Sequence, residues 1–252
     1  MPETETLAGW VELEGCFNFR DLGSYTNTAG RRMRGGQVFR ADGLQHLSDR
    51  DLDRLCDEIG LGGVIDLRSG DEVSADGRGA IEHRLPIEHV PLFDRARSGA
   101  AGADQIKPEQ LAHMGELYWL MLQAAREPIV RVVELIAHAD TPVVFHCAAG
   151  KDRTGVISSV LLSLLDVPQE TIIADYAFSR KNIDAINARL GESDTYRTMM
   201  EAMPPDAYDA DPAAMTHFLA KVTDEAGSMA EWASSAGIDH AVRARLLDRL
   251  LI

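Results

Sequence analysis

Pro142-Val143-Val144-Phe145-His146-Cys147-Ala148-Ala149-Gly150-Lys151-Asp152-Arg153-Thr154-Gly155 is the stretch that decides how this chain is read. The β-branched run up to His146 predicts a short buried strand, and the apolar stretch from Thr154 to Leu165 predicts a helix. A loop between a buried strand and a helix N-terminus aims backbone N–H groups and the positive end of the helix dipole at whatever it holds, so it suits an anion. Ala148, Ala149 and Gly150 let the backbone curl closely round a phosphate-sized group, and Arg153, six positions after Cys147, can close the ring with a bidentate guanidinium fork. The same field favours the thiolate of Cys147. At the floor of such a loop that thiolate is placed for in-line attack on phosphorus, giving a phosphocysteine that water then hydrolyses. Arg153 and the amides would stabilise the equatorial oxygens of the transition state, and Thr154 could donate its hydroxyl to the departing sulfur. This chemistry requires no metal and no other cofactor.

Outward from this unit the chain reads as α/β. Upstream, Cys16 to Gly23 alternates apolar and polar residues, and Asn27, Gly30, Gly35 and Gly36 punctuate a basic stretch ending in Gln37-Val38-Phe39-Arg40, which predicts short strands joined by turns. Ser48 is placed to cap a helix with Leu52, Leu55, Cys56 and Ile59 on one face and Gly60 at its end, followed by a buried strand from Gly63 to Leu67. Ile81 to Phe93 fits one or two more strands, Ser98 to Gly102 a small flexible loop, and Pro108 to Arg126 a helix, with Pro128 opening the next. Beyond Pro168 the pattern is helical to the end, broken near Gly191, Pro204-Pro205 and Gly237. With no internal repeat and no clean linker, residues 1–252 are expected to form a single domain with a helical C-terminal third.

Of 252 residues, 45% are hydrophobic, enough for a sizeable core, which excludes disorder as the main state. Twenty-five Lys and Arg against 40 Asp and Glu give a net charge of −15, which repels nucleic acid and anionic bilayers over most of the surface. An anionic substrate must therefore meet a local positive site. The acidic N-terminus, without an apolar run long enough to span a bilayer, gives no sign of a secretory signal or a membrane insertion. Three cysteines, Cys16, Cys56 and Cys147, are too few to staple a chain of this size, and reduced thiols in the cytoplasm are expected. The sequence leaves the oligomeric state open, with a monomer favoured.

His146 to Gly155 matches the signature H-C-x-x-G-x-x-R-S/T of cysteine-dependent phosphatases, and its Gly-Lys-Asp-Arg-Thr-Gly form resembles the atypical bacterial tyrosine and lipid phosphatases of the mycobacterial tyrosine phosphatase B type. Two upstream elements typical of that family stand here as Asn18-Phe19-Arg20-Asp21-Leu22-Gly23 and Ile65-Asp66-Leu67-Arg68, the latter with Glu72 after it. The resemblance implies a phosphatase-type central mixed sheet flanked by helices, and phosphomonoester hydrolysis without a metal. It implies a phosphorylated protein as substrate, with a phosphoinositide or inositol phosphate as the alternative, since a Lys in the loop, here Lys151, often accompanies inositol-lipid substrates by holding a second phosphate. It also suggests Asp152 as the acid that protonates the leaving group, and a helical lid within residues 176–226. Asp94 competes for the acid role, because it ends a predicted strand upstream of Cys147 as the mobile acid does in other cysteine phosphatases.

Plainer readings stand beside these. A phosphate-reading module without turnover would carry the same loop. Cys56 lies on an apolar helix stripe and reads as core, as do Phe178, Met199, Met200, Met203 and Met215. His146, just before the nucleophile, reads as a support for the loop backbone and not as a base, and no histidine spacing suggests zinc. Arg20 and Asp21 fit either a solvated pair or a structural pair near the loop. Arg31, Arg32 and Arg34 fit a solvated hairpin face or a guide for anionic substrate.

Overall fold

Val143–His146 (β5) is buried along its whole length and forms the centre of a five-stranded sheet. The computed structural model describes residues 9–92, 113–202 and 205–252. β5 pairs in parallel with Val38–Ala41 (β2) on one side and Gly63–Asp66 (β3) on the other. Arg20–Asp21 (β1) adds an antiparallel edge to β2, and Ile87–His89 (β4) a parallel edge to β3, so the order is β1-β2-β5-β3-β4. Neighbouring registers, Ala41 beside His146 and Asp66 beside His146, bring three strand ends to one line just before Cys147.

Strict alternation along the strands feeds two cores. Val143, Phe145, Val38 and Ile65 face a helical layer made by Met114–Ala124 (α3), Arg126–His138 (α4), Asp152–Leu164 (α5), Gln169–Ala177 (α6), Pro212–Ala226 (α9), Met229–Ala236 (α10) and His240–Leu250 (α11). Val144, Phe39, Ala41 and Val64 face the smaller core, with Phe19, Leu44, and Leu52 and Leu55 from the segment that follows Ser48. Gly70–Asp76 (α2) lies between β3 and β4 in the chain, and Ile183–Glu192 (α7) and Asp194–Ala202 (α8) pack on each other between α6 and α9. This is the mixed α/β sheet with a helical C-terminal part that the sequence led us to expect.

Two local expectations are corrected, and a third, one or two strands between Ile81 and Phe93, is narrowed to one. Ser48 caps its helix through a reciprocal box with Asp51, but the α-helix (α1) spans only Asp49–Asp53 and widens into a π-helical turn over Arg54–Glu58. The bonds Ile59 N–H to Arg54 O and Leu61 N–H to Leu55 O let both Leu55 and Leu61 reach the core before the chain enters β3. Between Ile81 and Phe93 the described residues hold one strand, β4, because Gly77 and Gly79, at φ +69° and +72°, turn the chain into a 3₁₀ turn, Ala80–His83, anchored by buried Ile81. Gly191 sits inside α7, and the break falls at extended Ser193, whereas Gly237 ends α10 in the left-handed region as expected. The Ser98–Gly102 loop, Pro204 and the start of the predicted 108–126 helix lie outside the described residues.

Candidate active site

The chain leaves β5 at His146, passes through Cys147 to Lys151 and enters α5 at Asp152. Outside groups hold the carbonyls of this loop. Ala148 O accepts from Gly43 N–H at 2.9 Å, Ala149 O from Asn18 Nδ2 at 3.2 Å, and Gly150 O from both Asn18 Nδ2 at 3.2 Å and Arg40 Nη2 at 2.7 Å. In a trans peptide each carbonyl points opposite to the next N–H, so a loop held by its carbonyls from outside turns its amides inward. Gly150 is required where it stands: its φ is +65°, and a Cβ would lie 2.6 Å from the backbone of Ala41 and Asp42. Cys147 is 1% exposed, and Thr154 Oγ1 donates to its Sγ at 3.2 Å.

Arg153, in the first turn of α5, is bound by both carboxylate oxygens of Glu72, at 2.6 and 2.7 Å. Glu72 is itself oriented by the start of α2, where Ser69 N–H donates to its Oε2 at 2.7 Å and the Ser69 hydroxyl accepts from Glu72 N–H. Burial would raise the carboxyl of Glu72, but the Arg153 charge and these hydrogen bonds outweigh it and hold it down to about 2. Burial works against the charge of Arg153 as well, and Glu72 more than restores it. The guanidinium is thus fixed and cationic beside Cys147.

Behind the loop lies a second buried cluster. Arg20 Nε meets Asp175 Oδ1 at 3.0 Å, Arg40 Nη1 bonds Asp175 Oδ2, and Tyr25 donates its hydroxyl to Oδ1 at 3.1 Å. Arg20 also reaches Asn18 Oδ1 at 2.5 Å and so sets the amide that grips the loop. Two guanidiniums share one carboxylate, and burial with the repulsion of Arg20 pulls Arg40 down to about 10, so it remains a cation at neutral pH. The surplus positive charge behind Gly150 favours an anion in the loop. His146 is buried; its Nδ1 lies 3.1 Å from Cys147 O and its Nε2 3.7 Å from Asp66, which is itself paired with Arg68 at 2.8 Å. Burial lowers His146 against the pull of Asp66, leaving a neutral ring that donates to the loop backbone.

Residues 11–252 match the sequence profile of the tyrosine phosphatase family. The chain belongs to that family. It is a protein-tyrosine phosphatase by that membership and by its relatives. The triple specificity protein phosphatase PtpB of Mycobacterium tuberculosis is 30% identical over 219 residues, which are 77% of each chain. A tyrosine-protein phosphatase of Nostoc commune is 34% identical over 148 residues, 56% of this chain and 47% of that one.

In this tyrosine phosphatase the fold brings Cys147, Ala148, Ala149, Gly150, Lys151, Asp152, Arg153 and Thr154 to one strand end, while Asp94 lies outside the described residues. Lys151, which the resemblance offered as a holder of a second phosphate, does not stand on an open rim of the loop. It is 2% exposed, and its ammonium donates to Ala207 O at 2.6 Å and Asp209 O at 3.1 Å and pairs with Asp152 Oδ1 at 3.1 Å, because the turn Pro205–Tyr208 descends onto the loop. Arg31, Arg32 and Arg34 lie beyond the opposite end of β2, against the C-terminal residues Leu250 to Ile252, which removes them as guides to the loop. Arg20 and Asp21 are both buried and do not pair with each other; Asp21 accepts from Gly23 and Gly36 N–H. A cleft of about 200 Å³ opens beside the loop between Ala148, Gln45 and His46 on one wall and Ile186, Arg189 and Tyr196 on the other.

Sequence reasoning gave no role to Glu72, Asn18, Arg40, Asp175 or Tyr118. The spacing of Ser69 and Glu72 is a capping-box signal, which marks a helix start but says nothing of Arg153. Asn18→Ala removes the donor to two loop carbonyls, a loss of about 1–2 kcal/mol, and is expected to weaken inhibition by inorganic phosphate roughly tenfold. An unchanged inhibition constant in competition assays would show that the loop holds its shape without Asn18.

Proposed function

We propose that this enzyme hydrolyses phosphotyrosine on proteins in two displacements at Cys147, with charge stabilisation from Arg153 and the loop amides and without a metal. The observation that carries this reading is the sulfur of Cys147 on the floor of a loop whose three carbonyls are tied outward, beside a guanidinium fixed by Glu72. The thiolate attacks phosphorus, the bond from phosphorus to the tyrosine oxygen breaks, and the leaving phenolate takes a proton from Asp152. Water then attacks the phosphocysteine and gives its proton back to Asp152, and the thiolate leaves while accepting from the Thr154 hydroxyl at 3.2 Å. Ala148, Ala149, Gly150 and Lys151 contribute the amides that bind the phosphate. Asp152 is favoured over Asp94 because it adjoins the loop and its side chain is 27% exposed, open to a leaving group.

The free thiols of Cys16, Cys56 and Cys147 support a reducing compartment, the cytoplasm. Among the described residues no helix is long and apolar enough to cross a membrane. The net charge of −15 disfavours nucleic acid as a partner, the phosphate group of a phosphoprotein is met by the local positive charge at the loop, and a monomer suffices for the chemistry. A broader reading, with substrates beyond phosphotyrosine and phosphoinositides as one candidate among them, has one observation in its favour, the words "triple specificity" in the name of the mycobacterial relative. Against phosphoinositides, the ammonium of Lys151 is already shared by two carbonyls and Asp152. Phosphate release in EDTA from phosphotyrosine peptides, phosphoserine peptides and phosphoinositides, measured side by side, is expected to be led by the phosphotyrosine peptides. Lipid turnover ahead of peptide turnover would replace the protein reading, and binding without release from any of them would leave a phosphate-reading module.

A further inference from the structure

Asp152 does not stand alone at the start of α5. Tyr118, from α3, donates its hydroxyl to Asp152 Oδ1 at 2.6 Å, and the hydroxyl of Tyr176, from α6, lies 2.6 Å from that of Tyr118. Lys151 Nζ reaches the same Oδ1 at 3.1 Å. These are the groups that face the carboxyl from α3, α6 and its own loop, and behind Lys151 stands the carbonyl of Asp209. Tyr118 and Tyr176 are buried, and the Tyr118 ring is fixed edge-on against Tyr176 and Phe218. Burial and the Asp152 charge push both phenols up, so each remains a donor.

We infer that Tyr118 is a positioning residue for Asp152, which with Lys151 fills Oδ1 so that the reaction proton is carried on Oδ2. A carboxylate oxygen offers two in-plane lone-pair sites. At Oδ1 the Tyr118 hydroxyl and the Lys151 ammonium take both, and the proton that leaves for the phenolate in the first step, and returns from water in the second, resides on Oδ2. The hydroxyl pair also restrains the carboxyl plane at the partly exposed helix start beyond what the Lys151 contact alone would do. This inference rests on Asp152 as the acid in the proposed function.

The test uses kcat/KM for a series of aryl phosphates whose phenols run from strongly to weakly acidic, with the unmodified enzyme, Tyr118→Phe, Asp152→Asn and the double variant. Asp152→Asn should steepen the dependence on leaving group. Tyr118→Phe, which keeps the ring packing, should steepen it in the same sense, with a loss of about tenfold on the weakest phenol, as for one hydrogen bond to a charged group. It should leave kcat/KM on the most acidic phenol nearly unchanged, and should add no further steepening to Asp152→Asn. A loss equal across the series, no loss, or full additivity in the double variant overturns the positioning role while leaving Asp152 as the acid. Absence of steepening in Asp152→Asn overturns the acid assignment and this inference with it. Should Tyr118→Phe fail to fold by circular dichroism, Tyr176→Phe takes its place; a loss of roughly threefold confined to weak phenols supports the relay of hydroxyls, and a uniform loss or none overturns it.

Discussion

Cys147→Ser is expected to reduce phosphate release by on the order of 10⁴-fold or more while the protein continues to bind inorganic phosphate. The two halves of that result have different causes. On the proposed mechanism binding resides in the loop, whose carbonyls are held by Gly43, Asn18 and Arg40 and whose guanidinium is held by Glu72, and none of these contacts uses the sulfur. Turnover needs an anionic nucleophile at neutral pH. A serine hydroxyl at the same place remains protonated, and the described surroundings of Cys147, with Thr154 as a donor and His146 committed to the loop backbone, offer it no base. Phosphate release by the variant, with binding followed calorimetrically, separates the two. Residual turnover within a hundredfold of the parent would mean that another group attacks phosphorus.

The second large effect is expected of Arg153→Lys, with a loss in kcat/KM on the order of 10³-fold, the scale seen when a donor to a developing oxyanion is removed. A lysine keeps the charge but not the planar fork that grips Glu72 at 2.6 and 2.7 Å and that, on the proposed mechanism, offers its remaining donors to the equatorial oxygens. The same change leaves Glu72, only 4% exposed, without its bidentate partner, so a lower thermal midpoint should accompany the kinetic loss. The pH response follows in sign. Glu72 lies at about 2 in the folded enzyme, below its ordinary value of 4.5, so its pairing stabilises the fold above about pH 4.5 and that contribution fades as the pH falls toward 2. Arg153→Lys should shrink this acid-labile part. Steady-state kinetics within tenfold of the parent would show that charge alone, without the fork, serves the phosphate.

The loop was legible because its chemistry is local. Strand, small residues, Cys147, Arg153 and Thr154 follow one another within a dozen positions, and α/β periodicity places them at a strand end wherever the rest of the chain goes. What surrounds the loop comes from far away in sequence and leaves no periodic trace. Arg20 finds Asp175 across 155 positions, and Tyr118 finds Asp152 across 34. The Asn18-Phe19-Arg20 element was legible as a motif, but its physical role, an amide that pulls two loop carbonyls outward, needed the packing of β1 against β2. Lys151 shows the limit most clearly. Its place in the loop is fixed by sequence, yet where its ammonium points is decided by the turn at Pro205–Tyr208, more than fifty residues later. The π-helical turn after α1 was hidden for another reason: Leu52, Leu55 and Ile59 fit an α-helical stripe, and only the demand that Leu55 and Leu61 share one core widens it.

The central claim is that phosphate passes through Cys147. The most direct measurement is to quench the enzyme in acid during turnover of an aryl phosphate and to locate phosphate by mass spectrometry on the peptide that contains Cys147. The account predicts a phosphorylated Cys147 that forms within the first turnover and disappears when substrate is exhausted. Sustained turnover with Cys147 unmodified at every quench time, or phosphate found on a different residue, would contradict it.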